Sequence, residues 1–105
     1  MAKSLLERRL IDVSDRLKRL RAELAVADEQ CNVLVNEAED ARLRSLVSET
    51  PLAQAEAHEM LRHADAQSRQ RDALRRAINE LERDQDALLD RMAGELAPHT
   101  PTSSS

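Results

Sequence analysis

The chain has 105 residues, a net charge of −4 from 16 basic and 20 acidic side chains, and no Phe, Trp or Tyr. One domain fits in that length, and without aromatic side chains it cannot fill a thick globular core. Interspersed charge of both signs excludes the one-signed basic cluster of a nucleic-acid footprint, and no apolar run reaches the ~20 residues that span a bilayer.

The first predicted element is a long helix over about 3–47, starting near Ala2–Ser4. Its start, Met1 to Arg9, turns charged too soon for a secretory signal. Apolar and small residues recur at heptad spacing along it: Leu6, Leu10, Val13, Leu17, Leu20, Leu24, Ala27, Cys31, Leu34, Ala38, Ala41 and Ser45. The turn is predicted at 48–50. There Thr50 is a good N-cap, and Pro51 suits the first helical position while pushing Thr50 out of the α region. A second helix is predicted over about 51–93, with the seam Ala53, Ala57, Met60, Ala64, Gln67, Arg71, Leu74, Ile78, Leu81, Gln85, Leu88 and Met92. Gly94 is a candidate C′ residue, although Glu95-Leu96-Ala97 could add a turn before Pro98. The hairpin then occupies 1–97, and the polar, proline-bearing tail 98–105 is expected to be disordered.

The two seams fit together antiparallel. Leu10 with Leu88, Leu17 with Leu81 and Leu24 with Leu74 have residue numbers that all add to 98, and the midpoint falls in the turn. The expected fold class is therefore all-α: a long antiparallel two-helix coiled-coil hairpin. Flanking charges test that register. Arg44 with Glu56, Glu37 with His63 and Arg16 with Asp84 are complementary or neutral, whereas Arg9 faces Arg91. On the other flank Arg21 faces Arg75, with Glu82 in reach of Arg21 and Asp28 in reach of Arg75.

Midway along, the seam turns polar, with Cys31 facing Gln67 and Ala27 facing Arg71 beside Asp28 and Asn32. The structural reading of this layer is register: polar seam positions cost stability but fix alignment. The functional readings are an anion or partner carboxylate held by Arg71, or contact with a second copy. Cys31 reads as a small buried hydrophobe. A lone cysteine excludes an internal disulfide, and the cytoplasm is the expected compartment.

Apolar residues exceed what the seam needs. Ile11, Val26, Val33, Val35, Leu46, Val47, Leu61 and Leu89 all lie off it and are the candidate interface, since such surplus marks a binding surface. The expected assembly is a homodimer forming a four-helix bundle.

Three approaches to site chemistry fail on spacing. His58 and His63 are five apart, about 140° round a helix, so they miss the zinc spacing of i and i+4. The acidic residues Glu37, Glu39, Asp40 and Glu49 resemble the hairpin tip of Gre-type transcript-cleavage factors. Of these only Glu49 sits in the turn, and Arg42 and Arg44 dilute the charge. The cyclic-dinucleotide motif of anti-sigma hairpins is absent from both helices. No catalytic residue, cofactor or metal is expected, and no enzyme activity.

The stretch from Asp28-Glu29-Gln30 through Ser48-Glu49-Thr50-Pro51-Leu52-Ala53 resembles small coiled-coil hairpin proteins of actinobacteria. The resemblance implies a high-GC Gram-positive source and a cytoplasmic protein, and it brings no activity. The surplus of Arg over Lys, 14 to 2, fits a GC-rich genome. The first functional expectation is a non-enzymatic interaction module, a homodimer that binds a cytoplasmic protein. The alternatives are a transcription-associated regulator bound to RNA polymerase or a sigma factor, and a ligand-sensing hairpin built on Arg71, Gln67 and Asp28.

Overall fold

A computed structural model describes residues 4–96, all of them helical but Ser4 and a short link. Helix α1 spans Leu5–Ser48 and helix α2 spans Pro51–Leu96. The expectations for residues 1–3 and for the tail lie outside the described residues.

Both ends of α1 and the start of α2 have local causes. Ser4 caps α1 in an extended conformation, its hydroxyl accepting from the Glu7 backbone N–H at 3.2 Å. Glu7, three residues on, adds a carboxylate where the helix dipole favours one. At 44 residues, α1 is about 66 Å long. It ends where Glu49 turns left-handed, φ 51° and ψ 27°, with its N–H donating to the Ser45 carbonyl at 3.0 Å. A non-glycine residue in that conformation costs roughly 1–2 kcal/mol. Thr50 then opens α2, its Oγ1 accepting from the Ala53 N–H at 3.2 Å and its carbonyl from the Gln54 N–H at 3.1 Å. The link is thus Glu49–Thr50, one residue shorter than expected.

At the far end the helix takes the longer of the two courses open in the sequence. Helix α2 runs through Gly94 to Leu96, and Gly94 has no positive φ. A helical glycine costs about 1 kcal/mol relative to alanine. That penalty does not stop a helix when Glu and Leu, both good helix formers, come next.

The helices run antiparallel, because contacts between them join residues of falling and rising number: Ser14 to Gln85, Asp28 to Arg71, Cys31 to Ser68. All twelve seam positions of each helix are buried or half-buried. Leu17, Ile78 and Leu81 form the buried cluster, with Val13, Leu20 and Leu24 packed against it. Towards the turn the buried seam narrows to Ala27, Cys31, Ala38, Ala41, Ala57 and Ala64. Small side chains there contribute less apolar burial per layer than the leucines do.

Candidate interaction surface

A two-helix seam has two flanks. On one flank α1 presents Ser14, Arg21 and Asp28, and α2 presents Ser68, Arg75 and Glu82. On the other α1 presents Arg16, Glu23, Gln30 and Arg44, and α2 presents Glu56, His63, Gln70 and Asp84. The two flanks are built differently.

The first is paired. Arg21 Nη2 donates to Glu82 Oε2 at 3.3 Å, Gln85 Nε2 to Ser14 Oγ at 3.2 Å, and Arg75 Nη2 to Asp28 Oδ1 at 3.1 Å. Asp28 is the hub, since Arg71 Nε also lies 3.9 Å from its Oδ1. Arg71 donates to Asp72 Oδ1 at 3.3 Å through both Nε and Nη2. Its side chain is only 24% exposed, so a seam arginine leaves sideways and is met by two carboxylates. The Cys31 thiol is wholly buried and donates a long, weak bond, 4.0 Å, to Ser68 Oγ. Among the described residues no buried side-chain polar atom lacks a partner. A network satisfied in this way specifies one alignment without leaving an orphaned group. Six side chains off the seam are half-buried on this flank: Glu7, Ser14, Asp28, Ser68, Asp72 and Glu82.

The second flank is open. Among the described residues no ion pair or side-chain hydrogen bond crosses the seam there. Instead shallow grooves follow it for most of its length. Near the chain ends Arg9, Arg16, Asp84 and Arg91 line one. At the middle Val26, Gln30, Gln70 and Ala73 line another, continued by Val33 and Glu37. Next to the turn, Arg44, Val47 and Glu56 line a third region. Val26 is 54% exposed, Val33 55%, Val47 87% and Leu52 71%.

The sequence-derived sites distribute unevenly over this frame. Arg21–Glu82 and Asp28–Arg75 form as expected. Arg44 with Glu56, and Arg16 with Asp84, share grooves but form no ion pair, and His63 lies beside Glu59 at 3.9 Å rather than Glu37. Of the polar layer, Asp28, Cys31 and Arg71 turn to the paired flank, Gln67 lines the open grooves, and Asn32 is exposed outside the cluster. Asp72 and Ser68 complete the network and were not foreseen; an Asp immediately after a seam Arg was the available signal. All eight candidate interface residues are exposed, but not on one surface. Val26, Val33 and Val47 lie on the open flank. Ile11, Val35, Leu46, Leu61 and Leu89 lie on the other, towards its two ends.

Among the described residues no group of His, Cys, Asp or Glu could hold a metal ion, and no helix is long and apolar enough to cross a membrane. Compared with known proteins, the chain matches no family model, no curated protein and no solved structure.

Proposed function

We propose that this hairpin is a non-enzymatic protein–protein interaction module that works as a homodimer and binds a cytoplasmic protein. The observation that carries the reading is the difference between the flanks. The seam is filled from within the chain, yet Val26, Val33 and Val47 stand exposed along grooves whose facing charges are left unmatched. Exposed apolar side chains rimmed by polar groups are the form an interface takes. Closing it with another hairpin gives a four-helix bundle. The ligand-sensing alternative needs a free Arg71, and Arg71 is held by Asp28 and Asp72 while Gln67 sits on the opposite flank.

Light scattering on the purified chain tests the dimer, and affinity capture with mass spectrometry, run with Val33→Glu as the control bait, tests the partner. A monomer of 11.8 kDa together with identical captures for both baits would overturn the reading.

A further inference from the structure

The open flank carries enough information to say how a second copy would sit. Resting on the dimer reading above, we infer that two hairpins pair open flank to open flank about a two-fold axis along their length. Their turns lie together, and α1 of each covers α2 of the other.

Two independent features of the flank select this arrangement. The first is charge. Within a hairpin, residues whose numbers add to about 99 share a level, as Ser14 and Gln85 or Cys31 and Ser68 do. Rotation about the long axis keeps every residue at its level. It therefore sets Arg44 on Glu56 of the partner subunit, Arg16 on Asp84 of the partner subunit and Arg19 on Glu80 of the partner subunit. Within the described residues none of these six side chains has an ion-pair partner inside one hairpin. Two contacts oppose the arrangement: Arg9 over Arg91 of the partner subunit, and Asp40 over Glu59 of the partner subunit. The tips-apart alternative centred on the Val26–Val33 groove is worse. It stacks α1 on α1 and α2 on α2, and brings Arg16 to Arg44, Glu23 to Glu37, Glu56 to Asp84 and Glu59 to Glu80. Like charges across an interface cost binding, and that asymmetry chooses the orientation.

The second feature is side-chain size. The larger side chains of the flank's middle are all on α1, at Val26 and Val33, and the matching levels of α2 carry Ala73 and Ala66, both exposed. Covering α1 with α2 sets each Val over an Ala, large into small, as close packing requires. Beside the turn Val47 meets Leu52 of the partner subunit, burying the two most exposed large apolar side chains of the flank. Stacking like helix on like helix would instead press Val on Val and leave the alanines facing each other over a gap.

The test uses the full chain and two readouts. Ser48→Cys carries a spin label beside the turn, while native Cys31, wholly buried, stays unlabelled. Pulsed dipolar spectroscopy should give a label-to-label distance under about 35 Å. A tips-apart dimer places the labels beyond about 40 Å, and that result overturns the inference. Charge reversal is the second readout. Arg44→Glu alone and Glu56→Arg alone should each weaken self-association about tenfold, and mixing the two should restore a heterodimer. In the centred tips-apart arrangement Arg44→Glu would meet Arg16 and tighten the dimer, which also overturns it. A wild-type chain that stays monomeric at about 100 µM removes the dimer reading itself. A dimer with distant labels removes only the orientation.

Discussion

The two flanks of the seam run along the same two helices and reach opposite results. On one, Arg21, Asp28, Arg71 and Arg75 find partners across the seam, and Ser14 and Ser68 add neutral bonds. On the other, Arg16 with Asp84 and Arg44 with Glu56 line common grooves without closing them. Complementary sequence at matched levels is thus insufficient for a pair to form within a hairpin. The paired flank is anchored by groups that emerge from the seam itself, Arg71 and Gln85, whose stems are already fixed by packing. The open flank has only Gln67 at its seam edge, and its long exposed side chains must be ordered at full entropic cost.

The largest effect is expected from removing what both flanks share. Leu17 is wholly buried at the centre of the apolar cluster. Leu17→Ala should destabilise the hairpin by about 2–5 kcal/mol and lower the melting temperature regardless of which flank is intact. Circular dichroism melts of Leu17→Ala combined with Asp28→Ala or with Val33→Ala measure this. If the Leu17 cost depends strongly on which flank is altered, the seam is not the common support of both flanks.

The next effect separates the flanks directly. Val33 and Asn32 are chain neighbours, both exposed, on the open and the paired side respectively. Val33→Glu should weaken self-association at least about tenfold, whereas Asn32→Glu should change it less than about threefold. Sedimentation across a concentration series reads both. Equal effects would mean that the open flank is not the docking surface.

The periodic part of this architecture was legible in the sequence, and the lateral part only in places. Burial follows period, so each of the seam residues from Leu6 to Met92 was readable. Thr50-Pro51 marked the second helix start because cap chemistry is local. Gly94 left the second helix's end open because a single glycine is a weak stop. The flanks were harder because an exposed charge chooses among several partners of similar worth. Glu39 takes Arg42 one turn away at 2.8 Å, and Glu59 takes both Arg62 and His63 along its own helix. Those intrahelical choices need no cross-seam ordering. The surplus apolar residues group as one candidate interface by their number alone; helix geometry divides them between the flanks.

A smaller effect is expected at Arg71 on the paired flank. Arg71→Leu removes a half-buried charge but leaves Asp28 with Arg75 at 3.1 Å and Asp72 with Arg75 at 3.9 Å. Neither carboxylate is stranded, so the change should be neutral or stabilising by up to about 1 kcal/mol. The loss should appear in alignment: mixed oligomers in sedimentation, or a second set of spin-label distances. A melting temperature lowered by several degrees, with a single alignment retained, would show that Arg71 supports stability rather than register.

The smallest effect concerns a pair confined to one helix, and it calibrates what an exposed ion pair does here. Arg42 holds Glu39 through a fork, Nη2 to Oε1 at 2.8 Å and Nε to Oε2 at 3.3 Å. The hydrogen bond first, and the guanidinium charge second, hold the Glu39 carboxyl below its ordinary value of 4.5. A carboxyl whose folded value lies below its unfolded one stabilises the fold above the unfolded value. That contribution is lost as pH falls through the folded value. Wild type should therefore melt slightly above Glu39→Gln at neutral pH, and the gap should close once pH drops well below 4.5. High salt should shrink the neutral-pH gap as well, since both groups are exposed to screening. A gap that survives in acid and in salt would assign the difference to helix propensity rather than to the Glu39–Arg42 ion pair.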